Sequence, residues 1–256
     1  MAILDKIPQD LLRLKNPPKM LYYKGNTDLL QMPKIAVVGS RKISFYTKNL
    51  ISNLCLSLKK YGICVVSGGA IGCDITAHKA AFPNTIAVFA NGLNIIYPKT
   101  NSNLINQMYE SSLVLSEYEP DEPPFKHRFL QRNRIVVGLC EAIVIAQADL
   151  NSGSLSSAKI AKNLGIPIFA FPQRIDESKG TNLLLKQKDA TLLDDFDELG
   201  KKFGSNLQEN LQKDEVLDFI KNNSNLTECL NKFGSKIYEY ELLGKISING
   251  FSVSVK

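Results

Sequence analysis

The stretch Ile35-Ala36-Val37-Val38-Gly39-Ser40-Arg41-Lys42 decides how this chain is read. Four apolar residues, mostly β-branched, predict a strand buried on both faces. Gly39 lets the backbone turn sharply behind it. Ser40 is a candidate helix N-cap, and the amphipathic stretch after Phe45 supplies the helix. A strand, a tight turn and a helix aim the helix's free N–H groups and positive partial charge outward, which suits an anion. Arg41 and Lys42 add two formal charges at the same mouth. Two readings stay open from these residues: a turn that holds phosphate, and a tight βα turn with solvated basic side chains.

Working outward, the same βα pattern repeats. Strands are expected at Cys64–Val66, Thr85–Phe89, Leu113–Leu115, Ala142–Ala146, Pro167–Phe171 and Ala190–Leu193. Helices are expected over Tyr46–Lys60, Thr76–Ala81, Leu104–Tyr109, His127–Leu139, Leu155–Leu164 and Thr181–Gln187. Alternation through short connections predicts an α/β fold, a Rossmann-like, doubly wound, mostly parallel sheet covered on both faces. Such sheets take ligands at the carboxyl ends of their strands. Residues 1–34, punctuated by Pro17-Pro18, Gly25-Asn26 and Pro33, read as an arm packed on this domain, with a short strand at Leu21-Tyr22-Tyr23. The expected organisation is a main domain over 1–200, a polar linker over 201–213 and a small C-terminal module over 214–256. That module shows helices at Glu215–Lys221, Leu226–Phe233 and Ile237–Leu243, then a hairpin around Asn249-Gly250. The order suggests a winged-helix-like unit.

Composition narrows the function classes. The formal net charge is +6. Residues 214–256 hold five Lys and six Asp or Glu, a net of −1, which leaves +7 for residues 1–213. A modest cationic excess in the main domain favours an anionic partner, and the near-neutral tail argues against its being the main DNA reader. No apolar run approaches membrane-spanning length, and no signal peptide is visible at Met1–Asp10, so a cytoplasmic protein without membrane contact is expected. Cys55, Cys64, Cys73, Cys140 and Cys229 lack CxxC spacing and read as buried thiols. His78 and His127 alone offer no zinc cluster and no convincing catalytic arrangement with Ser, Asp or Cys. No metal and no cofactor are expected. The acidic loop Glu117–Pro124 reads as solvated.

Three further stretches join the first turn in carrying the candidate chemistry. Arg41 and Ser44 stand where a GxGxxG turn needs glycine, so the first turn is no dinucleotide fingerprint, and no P-loop sequence occurs. Ser67-Gly68-Gly69-Ala70 leads through Ile71-Gly72-Cys73-Asp74 into a helix. Its amides can form a phosphate nest, or its glycines can serve tight packing. In Lys126-His127-Arg128-Phe129-Leu130-Gln131-Arg132-Asn133-Arg134, Arg128 and Arg132 share one helix face, and Phe125 and Phe129 another. Cations that track a backbone beside a ring suit an unpaired strand, with charge on phosphates and a stacked base. The alternative is a solvated basic helix with Phe125 in the core and Phe129 in either role. Ser152-Gly153-Ser154 binds one more phosphate or caps its helix, with Ser154 and Ser156 the favoured caps.

Together these motifs resemble the DNA processing protein A family, DprA/Smf, over about Ile7–Leu199. The resemblance is carried by Asn16-Pro17-Pro18, Leu21-Tyr22-Tyr23-Lys24-Gly25, Val38-Gly39-Ser40-Arg41, Ser67-Gly68-Gly69-Ala70 with Gly72-Cys73-Asp74 and Ala77-His78, Phe89-Ala90-Asn91-Gly92-Leu93, Tyr97-Pro98, Arg132-Asn133-Arg134-Ile135, Ser152-Gly153-Ser154 and Gly180-Thr181-Asn182. It implies a Rossmann-like core that binds single-stranded DNA, protects incoming strands in natural transformation, helps load the recombinase RecA and forms a homodimer. Carried over by motif, Gly39, Ser40, Arg41, Gly68 and Gly69 fall in the DNA pocket, and Lys126, Phe129 and Arg132–Arg134 in its basic helix. Lys42, Ser67, Ala70 and Ser152–Ser154 complete the expected nucleic-acid-binding set, with no catalytic residue. Longer members carry a preceding helical domain, so a short member is expected. Pro172-Gln173 and Lys188-Asp189-Ala190 depart from the family's Pro-Gly and Glu-Gly-Ala. The competing function is that of the related LOG-type phosphoribohydrolases, which need a catalytic glutamate where this chain has Ser157.

Overall fold

The structure is a computed structural model that describes residues 2–206 and 215–255. The chain divides into two compact units between Ser205 and Asn206. The first is built on a nine-stranded sheet. Its strands are β1 (Ala2–Ile3), β2 (Tyr22–Gly25), β3 (Lys34–Val38), β4 (Cys64–Ser67), β5 (Thr85–Phe89), β6 (Leu113–Ser116), β7 (Ala142–Ile145), β8 (Ile168–Ala170) and β9 (Thr191–Leu192). Across the sheet they run β1-β2-β6-β5-β4-β3-β7-β8-β9. β3 to β9 are parallel to one another, and β1 and β2 add antiparallel pairs at one edge. The arm therefore joins the sheet rather than lying on it.

The period-two rule shows how β3 sits at the centre. Ile35 and Val37 face one core with Ile51, Leu54 and Leu58 of α1 (Phe45–Lys60). Ala36 and Val38 face the other, with Ile135 and Val136 of α4 (Lys126–Gly138) and Ala158 of α5 (Gly153–Asn163). A strand buried on both faces has no polar side, which is why its sequence shows a continuous apolar run. Three more helices pack around this frame: α2 (Cys73–Ala81), α3 (Ser102–Ser111) and α6 (Lys179–Lys186).

The chain winds outward from β3 through β4 and β5 to β6, then returns to place β7 on the other side of β3. Their carboxyl ends part there, at the topological switch point where doubly wound sheets hold ligands. The turn after β3 is fixed across this gap, since Ser40 N donates to Gln147 O at 2.8 Å and Ala146 N to Val38 O at 2.9 Å. Gly39 is required for close approach rather than for a left-handed backbone, because a Cβ there would lie 2.9 Å from Cys73 Sγ.

Two sequence expectations fail in this unit. Ser44, not Ser40, caps α1 by accepting from Thr47 N at 3.1 Å, while Ser40 Oγ accepts from Lys42 N. The helix itself begins at Phe45, one residue before the expected Tyr46. The expected linker over 201–213 begins inside α7 (Phe196–Phe203), whose Leu199 is buried and whose following Gly204 donates to Gly200 O. The rest of that linker, 207–213, lies outside the described residues.

The second unit holds α8 (Glu215–Asn222), α9 (Leu226–Phe233), α10 (Lys236–Leu242) and the hairpin β10 (Ile246–Asn249) and β11 (Ser252–Val255). A bridge between Asn225 and Ser252 adds a third, one-residue strand position between α8 and α9. Helix, bridge, two helices and a hairpin follow the winged-helix order, around a core of Val216, Ile220, Cys229, Ile237, Ile246 and Val253. Among the described residues no helix is long and apolar enough to cross a membrane.

Candidate nucleic-acid interface

At the carboxyl ends of β3 and β7 lies a groove of about 710 Å³. Gly39, Ser40 and Arg41 form its crest. Gly68 and Ala70 give one wall, Lys126, Phe129, Arg132 and Asn133 another, and Ser152, Gly153 and Ser154 close the far end. Three turns distant in sequence thus converge on one cleft, because each follows a parallel strand that ends at the same rim. Ser152 Oγ caps α5 by accepting from Leu155 N, so the cap is Ser152 and not Ser154 or Ser156. With Leu155 N taken by the cap and Ser156 N donating to Ser152 O at 3.3 Å, Gly153 and Ser154, both in the groove lining, carry the first-turn amides that no intrahelical carbonyl accepts.

A smaller pocket of about 80 Å³ adjoins the groove, with Gly69, Phe89, Asn91, Tyr97 and Pro98 in its lining. Phe129 stands between the two. Its ring lies 5.9 Å from that of Tyr97, and the Arg41 guanidinium sits 5.2 Å from its centroid. Phe129 is partly exposed and belongs to the wall. The site offers a cation above an aromatic ring, a second exposed ring in Tyr97 and a further cation in Lys126. It can hold an anionic backbone and stack a planar base.

Beneath the groove a buried polar network consumes part of what the sequence offered. Ser67 is fully buried and its hydroxyl donates to Val37 O at 2.6 Å, so it cannot serve a ligand. Asp74 Oδ2 accepts from Ala70 N at 3.3 Å and fills the nest expected there for phosphate. Burial raises the Asp74 pKa, against the pull of Arg132, and lowers that of Arg132. The Arg132 guanidinium lies beside Gly68, opposite Asp74, and donates to Val88 O. Any side chain at position 68 would collide with both. Arg132 is 5% exposed, so it supports the wall and is not a surface contact. His78 is buried and joins Gly68 O at 2.5 Å through Nε2 and Thr85 Oγ1 at 2.7 Å through Nδ1. A carbonyl only accepts, so Nε2 carries a proton, while the one hydroxyl proton of Thr85 lies within reach of both Nδ1 and Val65 O, the latter at 2.8 Å. Burial depresses the His78 pKa to about 4.

Helix α4 also corrects the sequence reading. Arg128 does not share a ligand face with Arg132. It pairs with Glu122 and lies against the rings of Tyr118 and Phe125, at 4.3 and 4.8 Å. Arg134 makes two bonds of 2.6 Å to Glu117 and one to Asn16 O, outside the groove. The acidic loop is therefore no free solvated segment, since two of its carboxylates hold α4. Phe125 is 47% exposed where a core position was expected. Lys42 stands exposed beside the crest, outside the groove lining. Among the described residues no group of three or more His, Cys, Asp or Glu side chains is arranged to hold a metal.

The model of the family "DNA recombination-mediator protein A" matches residues 2–204. The chain belongs to this family. It is 43% identical over 178 residues to the DNA processing protein DprA of Streptococcus pneumoniae, covering 68% of this chain and 63% of that protein. It is 37% identical over 186 residues to protein Smf of Escherichia coli, covering 70% of this chain and 50% of that protein. The match thus spans about half to two thirds of these relatives' length. A solved structure of DNA processing protein A from Helicobacter pylori, described for its single-stranded DNA binding mode, superposes with a TM-score of 0.77 at 41% identity, over 82% of this chain and 96% of that one. The S. pneumoniae DprA crystal structure gives 0.73 at 40% identity, over 77% and 70%.

The departures from the family pattern are accommodated locally. Gln173 Nε2 donates to Thr47 Oγ1 and Ala146 O, at 3.0 and 2.7 Å, tying its loop to α1. Asp189 accepts from Lys162 at 2.6 Å. Sequence reasoning missed Tyr97, Asp74 and Asn151 as groove residues. Tyr97-Pro98 was among the family motifs and was the available signal. Asn151, with a φ of 62°, gave none.

Proposed function

We propose that the groove binds single-stranded DNA without cutting it, and that the protein acts as a recombination mediator. In that role it protects incoming strands in natural transformation and passes them to the recombinase RecA, working as a homodimer in the cytoplasm. The observation that carries this reading is the convergence of Arg41, Lys126 and Phe129 with the N-terminus of α5 on one cleft. Phosphates meet charge and N–H groups, and an unpaired base meets a ring. A duplex hides its base faces in the stack and lacks the second of these contacts. The family membership and the likeness to the H. pylori protein, itself described as binding single-stranded DNA, support the same ligand.

Ser157 speaks against the phosphoribohydrolase reading. It is 1% exposed and its hydroxyl donates to Gly153 O at 3.4 Å, so no carboxylate stands where that chemistry needs one. The test is an anisotropy titration with oligo-dT and with duplex at two salt concentrations, followed by a gel of the recovered strand. Preferential, salt-sensitive binding of an intact single strand is expected. Equal binding of both forms, or a shortened strand, would overturn the proposal.

A further inference from the structure

We propose that Phe45 and Tyr46 form a second base-stacking platform for the same strand, across the β3–α1 turn from the groove. This rests on the single-strand reading above and extends its footprint. Phe45 is 77% and Tyr46 40% exposed at the start of α1. An isolated exposed ring is ordinary on a protein surface, but three observations set these apart.

The first is position. Arg41, which caps the Phe129 ring in the groove, precedes Phe45 by four residues, a reach of at most about 14 Å. α4 and α5 pack on one face of the sheet and α1 on the other. A strand leaving the groove over the Gly39–Lys42 crest descends on the side where Phe45 stands. The second is rigidity. Ser44 caps this helix, its N–H donates to Gln147 Oε1 at 3.1 Å, and Thr47 Oγ1 accepts from Gln173 at 3.0 Å. The helix start that carries the rings is tied to the loops on both sides, so its backbone needs little further ordering to present them. The third is charge. Lys42 and Lys48 are exposed on either side of the rings. In the loop that Gln173 ties to Thr47, Ile175 is 86% exposed. Rings interleaved with cations fit the next nucleotides of an unpaired strand.

The experiment uses oligo-dT of two lengths, about 5 nucleotides to fill the groove and about 15 to pass beyond it. Replacing Phe45 and Tyr46 together by alanine leaves the short oligonucleotide's affinity unchanged and weakens the long one about 5- to 150-fold. The chain contains no tryptophan, so Phe45→Trp introduces a single tryptophan, excited apart from the nine tyrosines and quenched by the long oligonucleotide and not by the short one. Wild-type affinity of the double variant for both lengths, or unquenched emission with the long one, overturns the platform. So does a shift in the protein's own oligomeric size with the length dependence intact, which would assign the rings to a protein contact. If the short oligonucleotide fails to bind wild type, or binds Arg41→Ala equally well, the groove reading itself falls.

Discussion

The two glycine-rich turns of this protein carry nearly the same sequence signal and do opposite work. Gly39-Ser40-Arg41-Lys42 and Ser67-Gly68-Gly69-Ala70 both follow a buried parallel strand and both precede a helix. The first turns outward: Arg41 and Lys42 are exposed. The second turns inward: Ala70 N meets Asp74, Gly68 O meets His78, and Arg132 lies beside Gly68 with its charge facing Asp74. Both turns spend backbone groups within the chain, since Ser40 N donates to Gln147 O and Ser40 O accepts from Cys73 N. The first stays open to a ligand through its exposed Arg41 and Lys42 side chains, and those side chains, not the glycines, distinguish the two.

That difference is open to attack by substitution, and the inward turn should give the largest effects. Asp74→Ala removes the acceptor of Ala70 N and leaves the Arg132 charge buried without its counter-charge. It should cost about 3 kcal/mol of stability, read from chemical denaturation. His78 gives the next effect, in the pH dependence. Its folded pKa of about 4 lies below the ordinary value of 6.5, so the unfolded chain binds the extra proton first. Stability then falls as pH drops from about 6.5 to 4, by about 3 kcal/mol in all. Asp74, whose pKa is raised, contributes in the opposite sense. His78→Gln should flatten the decline in a melting series across that window, at some loss of stability above it. An unchanged slope would contradict the neutral buried ring.

The outward turn should respond in binding and not in stability. Arg41→Ala should weaken single-strand affinity by about 2 kcal/mol, the value of a charge-assisted contact, with the melting temperature unchanged. Lys126→Ala should cost about 1 kcal/mol of affinity uniformly across sequences. Phe125→Ala is the smallest. Its ring is half exposed, so stability should change by less than about 0.5 kcal/mol. A loss of about 3 kcal/mol or more would restore the core position that the sequence suggested.

The sheet was legible because its strands are buried on both faces, and a continuous apolar run this short, closed by glycine, fits a central parallel strand better than a helix. The rim that holds the groove was legible for the same reason, since parallel strands bring their carboxyl-end loops together. What could not be read was which polar groups are already spent. Ser67, Arg132 and Arg134 look like ligand groups in the sequence, yet each is occupied by a partner 17 or more positions away. Within the arm, β2 was expected from Leu21-Tyr22-Tyr23, but β1 was hidden because an edge strand of two residues shows no alternation. The extent of α1 was legible but its cap was not, because Ser40 and Ser44 are equally good caps by type, and only the structure shows Ser40 Oγ accepting from Lys42 N and Ser44 Oγ from Thr47 N.

The most direct test of the central claim is the salt dependence of single-strand binding. Log affinity for oligo-dT against log salt is measured for wild type and for Arg41→Ala combined with Lys126→Ala. If both side chains neutralise phosphates, the slope becomes shallower by about 1.4, roughly 0.7 for each contact on a single strand. A slope identical to wild type would mean that the groove does not hold the strand's backbone.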